Sequence, residues 1–352
     1  MVLQAKFIME KIPTIKEIAK RLKVSKSTVS RALHGHPSIG LVTTMRVKKV
    51  ANELNYEPDR TAIFFKQRKT FTIGIIMPNV SEAFFSSALC GIEDFAGKKN
   101  YNVIIGQSLE DPEKEKHFLE TMKNHRVDGV IMSITKNTID YGVFDQLKRY
   151  NIPVVFFDRV PKMNDIHYSA CNLQSGLLQS IDYLIAKGHC NIGLINGPTQ
   201  LSASKERLEA YRKGLENHSI TFTMEYVVSS DLSCEQNYSA MQNLLSLKER
   251  PSAIITFNDY VALDAIKVAR KNNLIINRDI SFVSFANLPI WQYMDNLPLA
   301  SIEQFPQIQG KNAAEILFKL IDGNNNPEQG GPVVHNIKFD SRMVSYSCVI
   351  TG

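Results

Sequence analysis

The apolar positions change period along the chain, and the change divides it into two regions. In the first seventy residues they recur at helical spacing over short stretches. Ile15, Ile18, Ala19 and Leu22 fall at i, i+3, i+4 and i+7; Val29, Ala32 and Leu33 come next; Val47, Val50, Ala51 and Leu54 repeat the pattern. Each set places one buried stripe on a short helix. Thr14 followed by Glu17 is a capping-box signature, and Ser25 is the expected N-cap of a second helix over 26–33. The third helix is expected between about 43 and 55. Only three residues separate Leu22 from Lys26, so the first two helices must cross steeply, as in a helix-turn-helix. Pro58 ends the third helix, and Asp59 can cap a short segment carrying Ile63, Phe64 and Phe65.

From Phe71 onward the pattern switches to short, near-continuous apolar runs rich in β-branched residues, expected as strands over 72–77, 103–106, 129–133, 153–157, 192–196, 253–257, 281–285 and 300–304. Helical patterns separate them, among them 84–99, 174–187, 204–216, 260–271 and 309–321. Strands buried on both faces and alternating with helices predict an α/β body of parallel sheets covered on both sides. Some 280 residues exceed what one such sheet holds, so two α/β lobes are expected.

Charge separates the same two regions. Over the 352 residues the formal net charge is +6, yet residues 1–69 hold 15 Lys and Arg against 5 Asp and Glu, and the remainder 26 against 30. A basic module on a mildly acidic body points to a polyanion partner for the first part. No apolar run approaches the ~18 residues that span a bilayer. The N-terminal stretch carries Glu10 and Glu17 and has no apolar core of a signal peptide, so no membrane association and a cytoplasmic location are expected. Cys90, Cys171, Cys190, Cys234 and Cys348 lie far apart with no CxxC, which fits reduced thiols rather than disulfides or zinc. No GxGxxG, GxxxxGK[ST], GxSxG or HExxH motif is present, so no enzyme, cofactor or metal site is expected.

The second helix carries Lys26, Ser27, Thr28, Ser30 and Arg31 on its outer face. Short hydroxyls and long cations near a helix N-terminus suit phosphate anchoring and base-edge contacts in a major groove. In the segment after Pro58, apolar side chains lie among Arg60, Lys66, Arg68 and Lys69, which fits a wedge in the minor groove.

The motifs Thr14-Ile15-Lys16-Glu17-Ile18-Ala19, Val24-Ser25-Lys26-Ser27-Thr28-Val29-Ser30-Arg31 and Glu53-Leu54-Asn55-Tyr56-Glu57-Pro58 closely resemble those of the lactose-repressor (LacI/GalR) family of bacterial transcription regulators. The resemblance extends over nearly the whole chain. It implies a helix-turn-helix headpiece over 1–58, a hinge helix and linker over 59–70, and a two-lobed effector-binding and dimerisation domain over 71–352. The body would resemble periplasmic sugar-binding proteins. Lys26, Ser27 and Arg31 would read bases of a pseudo-palindromic operator, with Thr14, Asn55, Tyr56, Arg60 and Phe65 also at the DNA. Three residues depart from the family pattern. Lys23 stands where a turn Gly or Asn is usual, Asp59 replaces the hinge Asn, and Phe65 replaces the minor-groove Leu.

In such a body the loops at strand C-termini line the interlobe cleft. Those loops here carry Phe84, Phe85, Asp158, Arg159, Arg207, Asn258, Asn287, Trp291 and Gln304, the expected effector set for a small molecule, by resemblance a carbohydrate. Arg207 and Asn258 match family ligand positions. Each residue also has a plainer role open to it: Phe84 and Phe85 as core, Asp259 as the N-cap beside Asn258, Arg159 paired with Asp158, Trp291 at the cleft rim or capping a lobe. Ala286 stands where the family commonly has a sugar-clamping Asp, and Leu201 and Ala203 where purine-responsive members have polar contacts. The expected function is a homodimeric, effector-controlled DNA-binding regulator. Two alternatives are a regulator controlled by a partner protein and a solute-binding protein.

Overall fold

The computed structural model describes residues 13–57, 69–323 and 334–346, and the chain divides into two compact units, residues 1–70 and 71–352. The expected hinge segment, with Arg60 and Phe65, lies outside the described residues.

The first unit contains α1 (Ile15–Leu22), α2 (Lys26–Leu33) and α3 (Leu41–Glu53). Glu17 accepts a hydrogen bond from the Thr14 N–H at 2.8 Å, and the Ser25 side chain accepts from the Thr28 N–H at 3.1 Å. Lys23 ends α1 in the left-handed region (φ 54, ψ 41), the conformation that the family's usual Gly or Asn adopts at less cost. Ile18, Val29, Ala32 and Val47 are fully buried where the three helices meet. The third helix begins two residues before the expected start, because Gly40 and not Thr43 is its N-cap. Leu41 and Val42 fill that first turn with exposed side chains, so the apolar stripe does not reveal it.

The second unit has two six-stranded sheets, each with helices on both faces. The first, ordered β11-β5-β4-β3-β1-β2, is parallel throughout: β1 (Thr72–Met77), β2 (Asn102–Gln107), β3 (Gly129–Met132), β4 (Val154–Phe157), β5 (His167–Asn172) and β11 (Asn336–Asp340). Between it and helices α4 (Ala83–Lys98) and α11 (Pro306–Ile321) lies one core layer with Ile73, Ile75 and Leu317. On the opposite face α5 (Pro112–Asn124) and α6 (Val143–Arg149) cover Ile76, Val130 and Phe156.

The second sheet is ordered β12-β10-β9-β8-β6-β7: β6 (Ile192–Asn196), β7 (Val227–Ser229), β8 (Ala253–Thr256), β9 (Ser281–Phe285), β10 (Ala300–Glu303) and β12 (Arg342–Ser345). It is parallel except for β12, which pairs antiparallel to β10. Helices α7 (Leu173–Ala186) and α8 (Ser202–Asn217) cover one face; α9 (Cys234–Leu245) and α10 (Asp259–Lys271) cover the other. The fold class is therefore as expected: an all-α headpiece and a two-lobed α/β body.

Chain order and sheet order together require three passages between the lobes, after β5, after β10 and between β11 and β12. Ser341, in the last passage, fixes the first. Its hydroxyl donates to the Asn172 carbonyl at 2.6 Å and accepts from the Gly176 N–H at 2.9 Å. In each sheet the strand order reverses at one point, β1/β3 and β6/β8. The crevice outside the strand C-termini at such points is where open α/β sheets hold ligands.

Candidate functional site

On the headpiece, α2 presents Lys26, Ser27 and Arg31 to solvent. The Ser25 hydroxyl lies 2.7 Å from that of Ser27 and 2.8 Å from that of Thr28, so the N-cap orders both hydroxyls at the start of the helix. Ser30 is half-buried, and its carbonyl meets His34 Nδ1 at 2.7 Å. Thr14 and Asn55 are exposed, whereas Tyr56 is half-buried and packs against the headpiece core. The outer surface of α2 is thus a short row of cations and hydroxyls.

In the two-lobed unit, loops from both sheets converge on two adjoining cavities, about 60 and 560 Å³ in volume. Asp158, Arg159, Leu173, Leu201, Ala203 and Gln304 line both. The smaller is completed by Glu82, Phe84, Phe85, Arg207, Phe257, Asn258, Tyr260, Ala286 and Leu288. Seven of the nine expected effector residues therefore meet around one space: Phe84, Phe85, Asp158, Arg159, Arg207, Asn258 and Gln304.

Each is placed by its element. Phe84 and Phe85 open α4 just after β1; they are also core, 9% and 2% exposed, with ring centroids 5.4 Å apart edge to face. Asp158 ends β4 with φ 56, and Ala286 ends β9 with φ 102, two non-glycine residues in left-handed backbone at the cavity wall. Asn258 is the N-cap of α10, its side-chain oxygen accepting from the Val261 N–H at 2.9 Å.

Arg207 comes from α8 and is 3% exposed. Its guanidinium lies between the Phe257 and Phe285 rings, 4.2 Å from each centroid. One nitrogen donates to the Ala203 carbonyl at 3.3 Å, and Nε is buried with no hydrogen-bond partner. Burial pulls its pKa down to about 10, partly opposed by Asp158. The group still carries its charge at neutral pH.

Arg159 is held differently. Its principal partner is Glu110, at 2.7 Å, whereas Asp158 is 3.9 Å away. The Glu110 carboxylate also accepts from the Lys136 N–H at 2.7 Å. Glu115, 2% exposed, accepts from the Thr135 N–H and the Thr138 hydroxyl, both at 2.8 Å. Two carboxylates thereby fix the loop 133–138 along the larger cavity. From that loop Lys136 Nζ reaches across to the Asp231 carbonyl at 2.6 Å. Burial raises the pKa of Asp158 despite Arg159 and Arg207, and that of Glu82 despite Arg159.

Three expectations fail. Trp291 is 2% exposed, packed in the core beneath α9 and α10, and lines neither cavity. Asn287 is turned away, donating to Glu303 at 2.9 Å and accepting from the Tyr346 hydroxyl at 2.6 Å. Asp259 is not the N-cap; Asn258 takes that role, and Asp259, fully buried, accepts from the Ser284 and Ser301 hydroxyls and the Leu288 N–H. That carboxylate ties α10 to β9 and β10. Sequence reasoning missed Glu82 and Glu110. Both lie beyond strand C-termini, where the same rule would have found them; Glu110 lies 49 residues from its partner.

Residues 14–59 match the model of bacterial regulatory proteins of the lacI family, and residues 70–341 that of periplasmic binding proteins and the sugar binding domain of the LacI family. The chain is 32% identical over 320 residues to the NTD biosynthesis operon regulator NtdR of Bacillus subtilis, covering 89% of this chain and 94% of the relative. It is 30% identical to the transcriptional repressor CytR of Escherichia coli, covering 90% and 92%. Its fold is similar to that of the lac repressor dimer bound to operator and the anti-inducer ONPF, with a TM-score of 0.78 at 22% identity over 95% of this chain and 98% of that one.

Proposed function

From the premise that this chain belongs to the LacI family of bacterial regulatory proteins, we propose that it is a cytoplasmic homodimeric repressor. A small carbohydrate or carbohydrate derivative between its lobes sets its affinity for a pseudo-palindromic operator. The observation that carries the effector half is Arg207: a charged guanidinium fixed between two rings, its Nε buried and unpartnered, at the wall of a cavity it shares with Asp158. A buried donor without a partner costs about 1–3 kcal/mol. A ligand oxygen there would remove that cost. The aromatic rings of Phe84, Phe85 and Phe257 offer apolar faces to a sugar's C–H face, and Asp158, Asn258 and Gln304 offer fixed partners for hydroxyls.

For the DNA half, the headpiece (1–58) places α2 in the major groove. Lys26, Ser27 and Arg31 contact base edges, and Thr14, Thr28, Ser30, Asn55 and Tyr56 support or anchor to phosphates. On the same reading Arg60 and Phe65, which lie outside the described residues, would contact the DNA backbone and the minor groove. Two headpieces match two half-sites, so the body (71–352) also holds the dimer together. Effector binding would change the angle between lobes joined by three strand-end passages, shifting the population of two states with different operator affinity.

A thermal-shift screen of the purified full-length protein against sugars, sugar phosphates and oligosaccharides tests the reading. A ligand at one hundred times its Kd stabilises the folded state by about 2.7 kcal/mol. The expected hit raises the melting temperature with dose and alters operator affinity. A hit that leaves operator affinity unchanged, or none at all, would remove the effector half of the proposal.

A further inference from the structure

Glu82 and Asp158 are the two carboxylates that line the smaller cavity, beside Arg159 and Arg207. Glu82, the N-cap residue of α4, lines that cavity, and its carboxylate makes no ion pair or hydrogen bond among the described residues, not even to its own helix. Asp158 lines the same wall, its nearest cation being Arg159 at 3.9 Å. Arg159, however, is committed to Glu110 at 2.7 Å. Lys136, the other cation acting on Glu82, donates to the Asp231 carbonyl on the opposite lobe. With Arg159 bonded to Glu110 and Lys136 to the Asp231 carbonyl, neither cation gives Glu82 or Asp158 an ion pair closer than 3.9 Å. Burial raises the pKa of both, although Arg159 acts to lower each.

Arg207 stands at the other end, on the second lobe. It acts on Asp158 but is absent from the charges that act on Glu82. Its buried, unpartnered Nε calls for an acceptor. At the end of β9, Ala286 brings no carboxylate, so both acids lining the smaller cavity, Glu82 and Asp158, come from the first lobe.

Resting on the reading of this cavity as the effector site, we propose that the effector is an amino sugar, its ammonium group held by Glu82 and Asp158 of the first lobe and its hydroxyl oxygens by Arg207 of the second. An ammonium offers three donors and a full charge to a pair of partly desolvated carboxylates, and such charge-assisted bonds are roughly twice as strong as neutral ones. The adjoining cavity of about 560 Å³ leaves room for a second ring or a substituent. Binding across both lobes would also favour one interlobe angle, as an effector must.

The test is titration calorimetry of the full-length protein with 2-, 3- and 6-amino-deoxyhexoses and their disaccharides, each beside its neutral parent sugar and its N-acetylated form. The expected result is at least a tenfold preference for one free amine over both controls, falling below threefold in Glu82→Gln. If that variant does not fold, the pH profile of the wild type serves instead, since protonating the carboxylates as the pH falls should erase the preference. A parent or N-acetylated sugar binding as tightly as its amine would overturn the ammonium assignment while leaving the cavity as a carbohydrate site. No binding by any sugar, charged or neutral, would overturn the cavity reading and the amine with it.

Discussion

Replacing Arg207 by Met separates a group kept for a ligand from one kept for the fold. Burial pulls the guanidinium pKa from its ordinary value down to about 10, even with Asp158 acting to hold it up. At 1.36 kcal/mol per unit that is roughly 3 kcal/mol against the charged form. The two ring faces at 4.2 Å offset it, by about 1–2 kcal/mol each when water is excluded. The remaining hydrogen bond, to the Ala203 carbonyl at 3.3 Å, is long. Methionine fills most of the same channel and gains about 0.3–1.5 kcal/mol from sulfur–aromatic contact. The balance leaves Arg207→Met within about 1 kcal/mol of the parent, a melting shift of no more than ~4 °C for a unit of this size. Urea unfolding followed by circular dichroism measures it, with operator affinity measured by fluorescence anisotropy. Stability and basal operator binding should both be retained while the response to effector is lost. A loss above 3 kcal/mol, the cost typical of breaking a buried ion pair, would mean that Arg207 is structural and that its unpartnered Nε says nothing about a ligand.

Other consequences follow from the same geometry. Arg31→Ala should weaken specific operator binding by about 1–3 kcal/mol and narrow the gap to non-specific DNA; an unchanged ratio would take Arg31 out of base reading. Glu82 has a folded pKa above its usual 4.5, so the folded state binds more protons and stability falls as pH rises from about 4 through that raised value. Glu82→Gln should therefore stabilise the unliganded protein at pH 7.5 and reduce the pH dependence of its melting temperature; an equal or lower melting temperature at pH 7.5 would contradict burial of the charge. At Gly310 an added Cβ would press on the Ala88 carbonyl where α11 crosses α4. Gly310→Ala should cost about 1–3 kcal/mol in urea unfolding, and a neutral result would show that these helices can separate.

Much of this was legible in the chain because the signals were local. The period of Ile15, Ile18, Ala19 and Leu22 needs only about two turns of helix, and strands such as 72–77 and 281–285 announce themselves by apolar runs buried on both faces. The strands that escaped lack that signal. His167–Asn172 carries His, Ser and Asn, and Asn336–Asp340 alternates exposed and half-buried positions as an edge strand does. The site followed the same division. Arg207, Asn258 and Gln304 were found because strand C-termini face the cleft. Asn287 also follows a strand, but Glu303 and Tyr346 draw its amide away. Trp291, the only tryptophan, is a candidate in the sequence because it lies just beyond Asn287, but proximity along the chain does not set direction, and its ring packs into the core. The Glu110–Arg159 pair, which decides which carboxylates remain free, joins loops after β2 and β4 and exists only once the sheet has formed.

Coupling between cavity and operator is the central claim, and fluorescence anisotropy of the full-length protein on a palindromic operator, with and without a saturating cavity ligand, tests it most directly. Operator affinity should change 5- to 150-fold, equivalent to about 1–3 kcal/mol of coupling, and the change should be absent in Arg207→Met. A ligand that saturates the cavity and leaves operator affinity untouched would contradict it.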